Sequence, residues 1–243
     1  VFIRNNGQLL NSVITECRAD NGSAIAGENG IATNNTITRN WPANCGTVDD
    51  YDGNTYHTII IGDQCWMREN LRCSHYADGG IIPRNTSGNR YASPYYFYYY
   101  YSDDLLVGYG YHYNWAAAMN GANSTNAVPS GVQGICPNGW HLPSKAEYEI
   151  MLNFVNSFAR YRCNNTNQYI AKSLAANRDW NSYSSSACYT GTNISSNNST
   201  YFSAMPAGYY TSGSSATNRQ TIAFFLTSTL ESNSRAWSCR ISY

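Results

Sequence analysis

A glycine- and tryptophan-containing turn that leads directly into a capped helix is the feature that most constrains this sequence. The turn spans residues 134–143, and Ser144 follows it with Glu147 three positions later. Ser and Glu at this spacing form a capping box, in which each side chain satisfies a backbone N–H group at the start of the helix. Apolar residues then recur at helical spacing, at Tyr148, Met151, Leu152, Val155 and Phe158. The sequence therefore predicts a helix over about residues 145–160.

The stretch from Val48 to Arg72 has the pattern of two turns and two strands. Asp52-Gly53 and Gly62-Asp63 are turn signals, and the β-branched and aromatic residues 56–61 between them are typical of a strand. Elsewhere, the sequence predicts short helices over 114–119 and 171–174 and a strand over 221–226. Residues 31–39 alternate weakly, which is typical of a further strand.

These stretches carry a family resemblance. The ordered motifs are D-Y-D-G-N-x-Y-x-T-x-x-I-G-x-Q-x-W-M-x-E-N-L-R from Asp50, Y-x-Y-N-W-A-A-A-M from Tyr111, C-P-x-G-W-H-L-P-S from Cys136, F-S-A-M-P-A-G-Y from Phe202, and Ala236-Trp237. Together they closely resemble the Fibrobacter succinogenes major paralogous domain, a bacterial cell-surface family. The resemblance covers residues 45–243.

The resemblance implies a fold similar to that of C-type lectins and formylglycine-generating enzymes. We therefore expect an α+β domain over 45–243, with short twisted antiparallel strands, one or two helices and long irregular loops. Residues 1–44 precede it as an extension or a small β-subdomain. The residues expected to hold the domain together are Trp66, Trp115, Cys136, Trp140, His141, Ser144, Glu147 and Trp237.

The sequence departs from the family pattern at its end. The resemblance implies a last strand with a Val-Arg-Cys pattern whose cysteine pairs with Cys136, and we expect that strand to be missing here. Cys136 then pairs differently or stays free. The chain begins at Val1 rather than at a methionine, which suggests a processed or trimmed form.

Composition excludes some classes of partner. Charged residues make up 12% of the chain and sum to a formal net charge of zero, so no basic stripe exists to neutralise nucleic-acid phosphates. No run approaches the roughly 18 apolar residues of a membrane span, so we expect no direct membrane insertion. The eight cysteines lack zinc-ligand spacing. They predict at least three disulfides and an extracellular or cell-surface location.

No catalytic or cofactor motif stands out. We find no nucleophile elbow, zinc-protease helix or phosphate-binding glycine loop. Asp50 and Asp52 belong to a turn that lacks the bidentate glutamate of an EF-hand. The motifs by which lectins of the related fold bind calcium are absent. Cys188 and Cys239 do not match the copper-binding pair of the formylglycine-generating relatives. The sequence therefore predicts a protein that is not an enzyme, without metal or cofactor.

Recognition is the function that the composition favours. Twenty-two tyrosines accompany abundant Asn, Ser and Gly, and this combination is typical of binding surfaces. Residues 95–101 are seven consecutive aromatics, of which about half must point away from the core if the segment is extended. The predicted binding residues are Tyr96, Tyr98, Tyr99, Tyr100, Tyr101, Trp180, Tyr183, Tyr209 and Tyr210.

Three functional hypotheses remain open at this point. The first is a secreted or surface-displayed recognition and adhesion module whose partner is a protein or a carbohydrate. The second is a structural subunit of an extracellular fibre or pilus-like filament, whose partners are other copies of itself. The third is a variable ligand-binding protein of a diversity-generating retroelement, since mutagenesis of Asn codons yields Asn, Ser, Thr and Tyr.

Overall fold

The chain folds into a mixture of short strands and few helices. The structure, a computed structural model, describes residues 44–85, 93–97, 108–210, 216–233 and 235–242, together with eight short strands before residue 44. Most paired strands after residue 44 are antiparallel. This content agrees with the predicted α+β class. The chain divides into two compact units, residues 1–46 with 58–66, and residues 47–57 with 67–243.

The described residues of the first unit before residue 44 form eight short strands in four parallel pairs. Strands β1 to β4 are Phe2–Ile3, Gln8–Leu10, Val13–Thr15 and Arg18–Ala19, and strands β5 to β8 are Ala26–Gly27, Ile31–Thr33, Thr36–Thr38 and Trp41–Pro42. Their registers are Phe2↔Ala26, Gln8↔Ile31, Val13↔Thr36 and Arg18↔Trp41. Each strand therefore pairs with the strand 23 or 24 residues further on. A constant offset of this kind is the pattern of two successive turns of a parallel β solenoid.

A sequence repeat underlies this pairing. The pattern Asn-Gly-x-x-x-Asn-x-x-Ile-Thr occurs at residues 6–15 and again, 23 positions later, at residues 29–38. Repeats of 20 to 50 residues are the usual sign of solenoid architectures. The single strand predicted over 31–39 is two strands, β6 and β7.

Residues 58–66 of a disulfide-linked hairpin belong to the same unit. Strands β10 (Thr55–Ile61) and β11 (Gln64–Met67) confirm the strand and turn predicted there. Cys45, which follows the second solenoid turn, forms a disulfide with Cys65. The Cys45 N–H donates to Thr58 Oγ1 at 2.8 Å, and Thr58 Oγ1 donates to the Gly46 carbonyl at 2.7 Å. These contacts attach the segment that follows the solenoid, Cys45 and Gly46, to the hairpin.

The second unit contains the remaining elements. The helices are α1 (Trp115–Met119), α2 (Lys145–Ser157) and α3 (Ala171–Leu174), with 3-10 turns at Ala159–Tyr161, Cys163–Asn165 and Ile194–Ser196. The strands are β9 (Thr47–Asp49), β12 (Tyr96–Phe97), β13 (His112–Tyr113), β14 (Tyr209–Tyr210), β15 (Ala216–Thr217), β16 (Ile222–Ser232) and β17 (Arg235–Ser242). The three predicted helices are confirmed. The predicted 221–226 strand is the first half of β16.

The long β16–β17 hairpin supports α2 and the turn before it. Trp115 Nε1 donates to the Thr227 carbonyl at 3.0 Å, and Thr227 Oγ1 donates to the Trp237 carbonyl at 2.8 Å. The Lys145 N–H, at the start of α2, donates to Thr229 Oγ1 at 3.0 Å. The polar middle of β16 thereby joins both helices to the sheet. Cys136 and Leu142 lie in the adjoining core, against which Trp115 and Trp140 pack.

The backbone of the turn at Gly134 lies very close to the backbone of helix α1. The Ile135 N–H donates to the Ala118 carbonyl at 3.0 Å. Gly134 has φ +53°, and a Cβ placed on it would lie 2.0 Å from the Ala118 carbonyl oxygen. Only glycine therefore fits here without moving one of the two backbones.

We expect Gly134→Ala to lower the free energy of unfolding by about 3 kcal/mol, because it combines a left-handed φ with a clash against fixed backbone. Gly139→Ala is the matched control. Gly139 also has a positive φ, but its added Cβ meets nothing within 4 Å, so the cost is about 1 kcal/mol. Urea unfolding of both variants measures the difference. Equal losses would contradict the role of the Gly134–Ala118 contact.

Candidate ligand-binding surface

A two-stranded hairpin separates aromatic rings onto two faces. Strands β12 and β13 pair with Tyr96 opposite Tyr113 and Phe97 opposite His112. The Tyr96 ring stacks on Tyr111, with ring centroids 4.7 Å apart, and packs with Tyr113 against the core. Tyr113 Oη donates to the Cys73 carbonyl at 2.8 Å. Because side chains alternate along a strand, this inner face anchors the hairpin and leaves Phe97 and His112 on the other side.

The outer face of the hairpin meets a third strand. The Tyr210 ring of β14 stacks on Phe97 at 4.9 Å and lies edge-on to His112 at 5.2 Å. We call Phe97, His112 and Tyr210 the aromatic face. Phe97 and Tyr210 are each half-buried, so part of each ring stays open to solvent while stacking holds it in place. Rings held rigid in this way bind ligands at a small cost in conformational entropy.

His112 fixes the base of the aromatic face. Its Nε2 lies 3.2 Å from the Ala207 carbonyl, which makes Nε2 the protonated nitrogen. Its Nδ1 is buried and has no hydrogen-bond partner. Burial lowers the pKa of the His112 imidazole, and the neighbouring carbonyls of Gly208 and Ala207 oppose this only in part. The ring is therefore neutral at pH 7.

On its opposite side, strand β14 carries a second tyrosine, Tyr209. Tyr209 lies 5.6 Å from Phe224 of β16, and Phe224 is 39% exposed. Just before Tyr209, Gly208 has φ +72°, and an added Cβ would lie 2.3 Å from the Thr217 carbonyl. Glycine here lets β14 lie directly against β15.

The predicted binding residues differ in their exposure and in their contacts. Tyr209 and Tyr210 are half-buried with their rings in the contacts described, whereas Tyr96 lies on the inner face. Trp180 is 5% exposed, so its ring packs inside the unit and offers no surface to a ligand. Tyr183 is 47% exposed and forms an edge contact with Tyr189. Tyr98, Tyr99, Tyr100 and Tyr101 lie outside the described residues.

Tyr183 sits in a loop that is tied at several points. The loop covers residues 181–193, and Cys188 within it forms a disulfide with Cys163. The Asn197 side chain donates to the carbonyls of Ala176 and Thr190 at 3.0 and 2.9 Å. Gly191 packs so closely on the Asn181 carbonyl that an added Cβ would lie 1.8 Å from it. The loop is thus tied by a disulfide, hydrogen bonds and close packing, although it forms no helix or strand.

A buried lysine completes this anchoring. The chain has only two lysines, and Lys172 of α3 is 9% exposed. Its ammonium group donates to the carbonyl of Tyr189 at 3.3 Å and to that of Thr192. Burial lowers the pKa of Lys172. Sequence analysis missed this residue, because nothing in the local pattern of α3 marks a lysine that points inward.

His141 and Glu147 form a hydrogen-bonded pair at the start of α2. His141 Nε2 lies 2.7 Å from Glu147 Oε1. Glu147 Oε2 accepts from the N–H groups of Ser144 at 2.8 Å and Ser130 at 3.2 Å, and Ser144 Oγ accepts from the Glu147 N–H. The capping box is confirmed. Trp66 is buried, whereas Trp237 is 39% exposed and has Lys145 Nζ 4.5 Å from its ring.

The acidic turn is a hairpin turn, as predicted. Asp50 accepts from the Asn54 N–H and Asn54 Nδ2, both at 2.8 Å, and from Tyr56 Oη at 2.6 Å. These donors occupy the carboxylate oxygens that a cation needs. Within the described ranges, no three His, Cys, Asp or Glu side chains converge as metal ligands.

Ser74, His75 and Asp52 lie together but do not form a proton relay. Asp52 and Ser74 Oγ both contact the same ring nitrogen, His75 Nδ1. A serine nucleophile needs the histidine to bridge, with the carboxylate on one nitrogen and the hydroxyl on the other. Burial raises the pKa of Asp52, but hydrogen bonds from Ser74 and His75 lower it overall. The cluster instead stabilises the turn, since the Ser74 N–H donates to Asp52 at 2.5 Å.

In the described part of the chain, three free cysteines lie in the core. Burial raises the pKa of Cys73 to about 11 and those of Cys136 and Cys239 to about 12, so almost no thiolate is present at pH 7. Cys188 is bonded to Cys163, which excludes a metal-binding pair with Cys239. The described residues hold two disulfides, one fewer than predicted, and Cys17 lies outside them.

Comparison with known proteins agrees with the motifs that meet in the second unit. The family model described as the Fibrobacter succinogenes major domain matches residues 59–242. The chain belongs to this family. Searches among curated proteins and among solved structures found no match. The family match includes both sides of the Gly134–Ala118 contact, the capped helix and the whole aromatic face.

Two further findings concern the environment of this family member. The two disulfides among its described residues indicate an oxidising, extracellular environment. Among the helices of the described part of the chain, none combines the length and the apolar character that crossing a bilayer requires.

The buried His112 predicts a pH-dependent stability. Its pKa in the folded state lies below the ordinary 6.5, so the unfolded chain binds a proton first as the pH falls. Stability is complete above about pH 6.5 and decreases as the pH falls toward the lowered value. We expect His112→Gln to remove part of this decrease between pH 7.5 and 5, measured as Tm. His57→Gln, at a histidine whose side chain is 62% exposed, is the control. Identical pH profiles for wild type and His112→Gln would contradict this assignment.

The buried Lys172 predicts a loss of loop anchoring on substitution. Lys172→Met keeps the side-chain length but removes the ammonium donor to the Thr192 carbonyl and one of the two donors to the Tyr189 carbonyl, which keeps the Thr192 N–H, so we expect a loss of about 1–3 kcal/mol. Amide exchange in residues 183–192 should become faster. Lys145→Met, which removes an exposed ion pair with Glu149 at 3.1 Å, should cost less than about 1 kcal/mol. An unchanged exchange rate in the Lys172 variant would show that the loop is held by its other contacts.

Proposed function

We propose that this protein is a surface-displayed recognition and adhesion module that binds its ligand through the aromatic face. The observation that carries the proposal is the stack of Phe97 on Tyr210, at 4.9 Å, on the outer side of a hairpin whose inner side is anchored in the core. The solvent-exposed part of this stacked pair provides an apolar platform of fixed orientation. Such a platform suits the apolar face of a sugar ring or a side chain of a protein partner.

The surroundings of the platform favour a neutral ligand. The His112 ring is neutral at pH 7 because burial lowers its pKa. The chain carries no net charge, and only 12% of its residues are charged. Binding by this surface therefore relies on stacking and hydrogen bonds, and we expect it to depend little on salt concentration.

A non-enzymatic role is part of the proposal. It is supported by the buried thiols, whose pKa values are raised to about 11 and 12. It is also supported by the Ser74–His75–Asp52 cluster, in which a single ring nitrogen takes both contacts. Neither group offers an activated nucleophile.

The fold and the location extend the proposal. We infer a C-type-lectin-like fold for the second unit, supported by a long hairpin (β16–β17), a helix packed on it, and irregular loops such as 181–193. Secretion to the cell surface is supported by the two disulfides. The retroelement hypothesis rests on the Asn, Ser and Tyr content of that loop and stays a prediction.

Binding to immobilised glycans and to surface proteins of neighbouring cells tests the function. We expect Phe97→Ala and Tyr210→Ala each to weaken binding at least tenfold, which corresponds to about 1.4 kcal/mol of lost stacking. Tyr169→Ala removes a tyrosine that is 56% exposed and lies outside the aromatic face, and should bind as the wild type does.

The same panel separates the possible outcomes. Preserved Tm values are required of all three variants, so that lost binding reflects the surface alone. Binding that persists in both aromatic-face variants but fails in Tyr183→Ala would move the site to the 181–193 loop. Turnover of any bound glycan or peptide would contradict the non-enzymatic role.

A further inference from the structure

We propose that the segment after helix α2 binds the carboxylate groups of an acidic polysaccharide, through Arg160 and the two aromatic rings that hold it. We call Phe158, Arg160 and Tyr161 the arginine site. It shares no residue with the aromatic face and takes a ligand of different charge. The proposal goes beyond the recognition function and does not rest on it.

The charge around the arginine site is one-sided. Residues 150–178 contain no acidic side chain, although the whole chain has a formal net charge of zero. The same range contains four basic side chains, those of Arg160, Arg162, Lys172 and Arg178. The acids that flank the range, Glu149 and Asp179, are each paired with a basic neighbour. Within the described residues, Arg160 forms no ion pair, so its charge is available to an anion from outside.

Two aromatic rings hold the Arg160 guanidinium. Its Cζ lies 4.4 Å from the centre of the Phe158 ring and 4.6 Å from the centre of the Tyr161 ring. The planes of these rings meet at 82°, with their centroids 6.1 Å apart. The guanidinium therefore packs against both rings at once. Such cation–π contacts restrict an arginine side chain that would otherwise sample many rotamers.

The guanidinium keeps most of its hydrogen-bond donors for a ligand. Arg160 Nη2 donates to Tyr161 Oη at 3.3 Å, and the described residues provide no other acceptor for this guanidinium. A guanidinium has five N–H donors, and two of them on one edge match the two oxygens of a carboxylate. Because Arg160 is exposed, an anion can reach these donors from solvent.

The backbone of the arginine site is held by contacts on both sides. The Tyr161 N–H donates to the Phe158 carbonyl at 3.1 Å, and the Cys163 N–H donates to the Tyr169 carbonyl at 2.8 Å. Cys163 also forms the disulfide with Cys188. A site that is ordered before its ligand arrives loses little conformational entropy on binding.

A polymer that repeats its carboxylate suits a site of this size. One exposed arginine binds a single carboxylate weakly, but a polyuronate presents the same group on every sugar, so that several copies of the protein on one surface bind it together. Phe158 and Tyr161 are half-buried, and the open parts of their rings give the sugar an apolar surface beside its carboxylate. An acidic polypeptide provides the charge without a rigid ring next to it, so we assign the site to a polysaccharide.

Binding of the whole chain to immobilised polygalacturonate tests the arginine site. We expect Arg160→Ala to weaken binding at least about fivefold. Arg160→Lys should weaken it as well, because lysine keeps the charge but lacks the planar fork. Arg235→Ala is the matched control, since it removes the same charge from a side chain that is 76% exposed and lies outside the site. Raising NaCl from about 50 to about 300 mM should weaken wild-type binding several-fold.

Further probes and variants make the test specific. Fully methyl-esterified polygalacturonate, which keeps the sugar chain without its charge, and poly-glutamate should both bind more weakly than polygalacturonate. Phe97→Ala and Tyr210→Ala should bind polygalacturonate as the wild type does, which separates failure of this site from failure of the aromatic face. Unchanged binding in Arg160→Ala, an equal loss in Arg235→Ala, or poly-glutamate binding as tight as that of polygalacturonate would each overturn the proposal.

Discussion

The second unit depends on the hydrogen bonds that converge on the carboxylate of Glu147. Three segments reach it, through the N–H groups of Ser130 and Ser144 and the ring of His141. A buried carboxylate is tolerated only when such donors satisfy it. Because these donors come from before and within the capped turn, one side chain fixes both the start of α2 and the path of the chain that enters it.

Local signals in the sequence were sufficient for several elements. The capping box, the short helix α1 and the Asp50 turn all depend on residues a few positions apart. The solenoid was not predicted, because its pairing joins residues 23 positions apart through strands of only two or three residues. Trp180 was assigned to a binding surface because composition does not distinguish a buried aromatic from an exposed one.

The aromatic face shows how a single hairpin serves both packing and exposure. The aromatic run was predicted to divide between core and surface, and Tyr96 and Phe97 do divide in this way. What the sequence did not indicate was the partner ring, since Tyr210 arrives from a strand more than 100 residues later. Stacking across that distance in sequence depends on Gly208, which lets β14 approach β15 closely.

The anchoring of loop 181–193 by Lys172 has a consequence for how such a domain diversifies. The ammonium group holds two peptide oxygens, and a peptide oxygen is the same whichever amino acid carries it. The Lys172 anchor therefore persists whichever residues occupy positions 189 and 192, and an exchange there removes only side-chain contacts such as those of Thr192 Oγ1 with the carbonyls of Tyr183 and Ser186. A lineage of these domains could alter what the loop displays, position by position, while inheriting an unchanged support beneath it.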